Sequence, residues 1–174
     1  MASLNNFSIP VRGIKSGLHQ FNFHLDSSFF TEFEGSLVEE GNVDVHLDFD
    51  KRPDMFVLDV NVQGTVKAEC DRCLANINLP IEGQYQLIIK LSDHKSEVDE
   101  VVYLPAETTE INVARYIYEF VGLSVPMMKI YDCQDDNPPP CDPAVLKRLE
   151  EEEEEDQKET KNPIWDELNK LSGN

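Results

Sequence analysis

Positive charge is what this chain has least of: lysine and arginine number 15 against 34 acidic residues, a formal net charge of −19 over 174 residues. So negative a surface repels phosphate, which disfavours a domain that grips a nucleic-acid backbone through its own cations. A local patch built from Arg12, Lys15, Lys67, Arg72 and Lys90 stays open as an alternative. Long apolar runs are missing too, and none approaches the roughly 20 residues that span a bilayer. The opening Met1-Ala2-Ser3-Leu4-Asn5-Asn6 has neither the basic nor the apolar region of a secretory signal, so a cytoplasmic protein is expected. Histidine is scarce. His19, His24, His46 and His94 have no acid, serine or cysteine partner at a motif spacing, and no carboxylates cluster as a metal-dependent nuclease requires. The chain is therefore expected not to be an enzyme.

Cysteine is also sparse, and its placement is informative. Cys70 and Cys73 stand two residues apart, and Cys133 and Cys141 are separated by seven residues that include Pro138, Pro139 and Pro140. Two residues between thiols put both sulfurs on one side of a tight turn, which suits a metal knuckle or a dithiol couple. The second spacing is not that of a standard knuckle. Three readings stay open: a four-thiolate zinc site, ordinary reduced thiols in turns, and a redox pair. In a reducing compartment, thiols or metal ligands are favoured over disulfides.

What the chain does have is β periodicity. Val43, Val45, Leu47 and Phe49 alternate with Asp44, His46, Asp48 and Asp50, the period of a strand with one face in water. Phe56 to Val66 should pair back on it as a hairpin and lead into the first cysteines. From Ile77 to Leu91 the apolar residues occupy odd positions, with Pro80 and Gly83 suggesting a bend or bulge, so Cys70 and Cys73 sit in a turn between antiparallel strands. Phe7–Val11 and Gly17–Leu25 read as further short strands. One helix is legible, with Asn112 as its N-cap, Val113, Ile117, Phe120 and Val121 at helical spacing, and Gly122 and Pro126 at its end. Arg115 and Glu119 stand four apart on another face, as a solvated ion pair does. The expected fold is α+β: mainly an antiparallel sheet or small, partly open barrel, with one packed helix and an acidic, helical or disordered C-terminal tail.

The expected organisation is a β-rich domain over residues 1–141 and a tail over 142–174. The tail holds 11 acidic and 5 basic residues, so the body is strongly acidic as well. A short helix can begin at Pro143, but Glu150, Glu151 and Glu152 open a block of six glutamates that repels itself. Beyond it, Asn162 as N-cap and Pro163 precede an apolar stripe of Ile164, Trp165, Leu168 and Leu171. So short a stripe is not a stable helix alone. It docks either on its own domain or on a partner, and the acidic block attracts a basic one.

Several of these motifs, in this order, resemble the YceD family: Val66-Lys-Ala-Glu-Cys-Asp-Arg-Cys-Leu-Ala75, the helix leading to Leu123-Ser-Val-Pro-Met-Met128, the later cysteine segment, and Asn162-Pro-Ile-Trp-Asp-Glu-Leu-Asn-Lys-Leu171. Members of that family are described as large ribosomal RNA accumulation proteins of bacteria and plastids. The resemblance covers most of the chain and is strongest from Val66 to Cys141. It implies a role in 23S ribosomal RNA accumulation and large-subunit assembly, with a basic large-subunit ribosomal protein or a pre-ribosomal particle as the partner. Many members carry four cysteines in the second cluster where this chain keeps Cys133 and Cys141, with Asn137 and Asp142-Pro143 in place of the rest. Two pairs still complete a four-thiolate set for zinc.

Overall fold

The computed structural model describes residues 4–92, 101–130, 136–149 and 151. The chain divides into two compact units, one of residues 1–68 with 78–129 and one of 69–77 with 130–174. The cysteine turn thus groups with the C-terminal segment.

The first unit is built on alternation. Strands β2 (Gly17–Leu25), β3 (Gly41–Lys51), β4 (Met55–Glu69), β5 (Asn76–Leu91) and β6 (Val101–Leu104) form an open five-stranded sheet in that order. The sheet does not close into a barrel. β3 and β4 form the expected hairpin, with Val43 opposite Gly64, Val45 opposite Val62 and Leu47 opposite Val60. Register is set by burial: Val43, Val45, Leu47 and Phe49 are buried to within a percent, and a one-residue slip would turn all four to water. β5 runs unbroken through Pro80 and Gly83, where a bend was expected. At Gly83 a side chain is what the packing excludes, since a Cβ there would lie 2.4 Å from Ser124 Oγ.

Two features depart from the antiparallel reading. β6 pairs parallel to β5, Ile89 opposite Val102. The segment expected as a strand from Phe7 to Val11 is a 3-10 turn at Leu4–Phe7 followed by a two-residue β1 (Ser8–Ile9), which pairs with β7 (Ile111–Asn112) as a separate ribbon. A further short helix, α1 (Ser27–Phe30), follows β2; Asp26 caps it by accepting the Ser28 N–H at 2.9 Å. It seats Phe29 and Phe30 in the core, with Phe29 against Phe7 at 4.9 Å between ring centroids.

Helix α2 (Ala114–Ser124) covers the sheet from the apolar side. Ala114, Ile117, Val121 and Ser124 are its buried positions, the helical repeat expected of a single packed face. Phe120 stacks on Tyr85 of β5 at 4.8 Å, and the Tyr85 hydroxyl meets Ser124 Oγ at 3.0 Å. The N-cap is one residue later than expected: Val113 occupies it, and Asn112 Oδ1 still accepts the Ala114 N–H at 3.0 Å. Arg115 and Glu119 make the expected surface pair at 2.9 Å.

Candidate functional site

The cysteine turn is the local feature of the second unit. Cys70 and Cys73 are free thiols, both buried. Residues 70–75 fold back tightly: Cys70 N–H donates to Ala75 O and Leu74 N–H to Cys70 O, each at 2.8 Å. That closure requires a left-handed residue, and Leu74 supplies it at φ 59° with its side chain exposed. Burial works to raise the Cys73 thiol; backbone N–H groups of Ala75 and Asp142 and a bond with Cys70 outweigh it and hold the thiol below its ordinary range, against the opposing Asp142 carboxylate. Asp142 also accepts the Ala144 N–H at 2.8 Å, capping the helical stretch 143–149, with Pro143 at the first helical position. One residue thus ties that helix to the turn.

The segment carrying Cys141 is therefore brought to the first pair. The donor set, however, is incomplete. Cys141 is disulfide-bonded, and Cys133 lies outside the described residues. Among the described residues no group of three or more histidines, cysteines and carboxylates is placed to hold a metal ion. Of the residues expected to meet a partner, Glu151 is helical and exposed, with Lys147 Nζ at 3.7 Å, whereas Glu150, Glu152, Trp165, Leu168 and Leu171 lie outside the described residues.

The larger feature belongs to the first unit and was not legible as a motif. On the sheet face opposite α2, Val57 is the one buried side chain of β2 to β4 among the described residues, and the even positions of β2 and β3 and the odd positions of β4 otherwise present mostly polar groups side by side. Gln20 faces Asp48, Asn22 faces His46 and His24 faces Asp44; across the next ladder Asp44 faces Gln63, His46 faces Asn61 and Asp48 faces Asp59. Side-chain bonds lace the array: Gln20 Nε2 donates to Asp48 Oδ1 at 2.8 Å, His24 Nδ1 lies 2.8 Å from Asp44 Oδ1, and Gln86 Nε2 donates to Asp59 Oδ1 at 2.7 Å. His46 sits between Asn22 Oδ1 at 2.6 Å and Asp48 Oδ1 at 3.3 Å. Two adjoining hollows of about 390 and 440 Å³ share His46 and Asn61, and among the described residues neither is lined by lysine or arginine. His24 and His46 thus join an acceptor-rich grid. His94 lies outside the described residues.

The basic patch of the RNA-binding alternative is partly committed elsewhere. Lys67 pairs with Glu40, and Arg12 donates to the Glu107 carbonyl at 3.0 Å. Tyr85, the aromatic available for stacking, faces α2. No helix among the described residues is long and apolar enough to cross a membrane.

An open sheet roofed on one face by a helix, polar and acidic on the other, with a two-cysteine turn between neighbouring strands, defines an α+β domain of the kind the sequence motifs anticipated. The chain belongs to the YceD family: the family model described as large ribosomal RNA subunit accumulation protein YceD matches residues 58–172. The matched span begins in β4 and includes the cysteine turn, β5, α2 and the C-terminal segment. No curated protein and no solved structure matches the chain.

Proposed function

We propose that the chain is a non-enzymatic factor of large-subunit biogenesis, which supports 23S ribosomal RNA accumulation by holding a basic large-subunit ribosomal protein, or the pre-ribosomal particle that carries it, against its acidic surface. The observation that carries this reading is the open face of the sheet, where Asp44, Asp48 and Asp59 stand among amides and histidines. Such a face offers acceptors and negative charge to a cationic partner and speeds encounter with it. Family membership supplies the ribosomal context. The acidic run of Glu150, Glu151 and Glu152 and the stripe of Trp165, Leu168 and Leu171 provide a second, tethered point of attachment. Affinity capture from a lysate at low and at high salt tests the reading. Recovery of large-subunit components at low salt, weakened at high salt, is expected; recovery of none at either salt sinks it.

Zinc is the cofactor we propose for the cysteine unit in its reduced form. Cys70 and Cys73 fit a tetrahedral site as two buried thiols on one turn, and the bonds that hold Cys73 below the ordinary thiol range favour the thiolate a metal requires. The remaining donors need the disulfide at Cys141 opened. A structural ion there would fasten the turn to the C-terminal segment. Elemental analysis of protein purified under reduction without chelator should find about one equivalent of zinc, and chelation should lower the melting temperature. Zinc-free protein that melts identically with and without chelator would leave the cysteines as ordinary thiols.

A further inference from the structure

β2 forms one edge of the five-stranded sheet, and among the described residues β3 is its only neighbour within it. Natural sheets blunt such an edge with charge, proline, a bulge or a covering segment, because a row of open N–H and C=O groups templates another strand. β2 has none of the sequence devices. It pairs with β3 residue for residue from Gly17 to Leu25, without a bulge. Its nine residues, Gly-Leu-His-Gln-Phe-Asn-Phe-His-Leu, include no proline and no aspartate, glutamate, lysine or arginine, in a chain where those four charged types make up 28% of residues. Among the described residues no segment other than β3 hydrogen-bonds to its backbone.

The two sides of that edge differ in chemistry. On one side Gln20, Asn22 and His24 lead directly to Asp48, His46 and Asp44 of β3. On the other, Phe21 and Phe23 are only half-buried. They line, with Phe7 and Phe29, a groove of about 430 Å³ at the strand, whose other walls are the polar Asn6, Asn22, His24 and Asp26. A strand laid along β2 would therefore meet acceptors and carboxylates with every second side chain and the rings of Phe21 and Phe23 with the others.

We propose that β2 is the docking edge for an extended segment of a basic partner, added as a further strand whose cationic residues lie over the Asp44–Asp48 face and whose apolar residues enter the phenylalanine groove. Charge selects this occupant over a second copy of the chain. Pairing β2 with β2 would bring together two molecules of net charge −19 and set their aspartate faces side by side. The inference rests on the reading of the chain as a binder of a basic large-subunit component, and it adds the surface used and the form of the bound segment.

The probe is a nine-residue synthetic peptide alternating arginine and valine, matched to the length of β2 and titrated onto the full chain. Binding at low salt is expected, weakened by high salt and reduced at least about tenfold by Asn22→Lys, which plants a cation beside the edge. Two versions of the peptide, N-methylated on odd or on even residues, should differ, because only one set of its N–H groups points at β2. Asn22→Lys is checked by its melting temperature, and the N-methyl comparison needs no variant. Absent binding of the peptide, equal affinity of wild type and Asn22→Lys, or equal affinity of the two methylated peptides overturns the proposal. Dimerisation of the wild type that Asn22→Lys abolishes overturns it too, assigning the edge to a second copy. In the lysate capture, equal recovery by wild type and Asn22→Lys removes the edge and leaves the binding reading standing. Recovery of no large-subunit component by wild type removes that reading, while the peptide still decides the edge.

Discussion

Single residues decide how closely the strands of this sheet approach. Gly64 lies opposite Val43, and a Cβ built on it would fall 2.3 Å from the Asn42 carbonyl oxygen and 2.7 Å from Val43 Cα. Both are backbone atoms, so relief requires β3 to move. Gly64→Ala is expected to destabilise the fold by about 2 kcal/mol in urea unfolding, the usual scale of overpacking; an unchanged midpoint would mean that the ladder yields freely. Asp48 and Asp59 present the opposite case. They face each other across the β3–β4 ladder, where like charges repel. Asp59→Asn keeps an oxygen for the Gln86 amide and removes the repulsion. It should stabilise by about 0.5 kcal/mol at low salt and by less at high salt.

At the scale of elements, α2 is held by its buried face and not by its surface charges. Ile117 is 1% exposed, and Ile117→Ala is expected to cost about 3 kcal/mol through lost burial and a residual cavity. Arg115, paired with Glu119 on an exposed face, should cost under about 0.5 kcal/mol on replacement by alanine. The same helix carries an alkaline signal. Burial, followed by the nearby Glu119 carboxylate, raises the Tyr116 hydroxyl above its ordinary range, with Arg115 opposing. A raised folded pKa contributes stability that is complete below the unfolded tyrosine range and is lost as pH rises through the folded value. Tyr116→Phe should therefore flatten the alkaline decline of stability, read as melting temperature against pH; a superimposable decline would assign it to other groups.

For the whole molecule, a net charge of −19 works against compaction, and screening should relieve it. Moderate salt is expected to raise the melting temperature while weakening capture of a basic partner. The two readouts moving in opposite directions would separate a charge-driven encounter from simple loss of fold.

The alternation of Val43, Val45, Leu47 and Phe49, the odd-position run after Ile77 and the helical spacing around Ile117 were legible in the sequence because each periodicity is local and is enforced by burial. So was the turn that holds Cys70 and Cys73. The parallel pairing of β6, the β1–β7 ribbon and the α1 turn were not, because pairing partners for such short segments carry no periodic signal of their own. The acceptor grid was hidden for a related reason. His24 meets Asp44 from 20 residues away and Gln86 meets Asp59 from 27, so spacing along the chain says nothing of neighbours across a ladder. By itself the sequence determined the strands β2 to β5, the principal helix, the acidity and the family, since these rest on local pattern and composition. Only the tertiary structure decided that Asp59 of β4 joins Asp44 and Asp48 of β3 on one sheet face, that Asp142 joins the later segment to the cysteine turn, and that β2 is an edge with no backbone partner but β3 among the described residues, because register and strand order arise from contacts between distant segments.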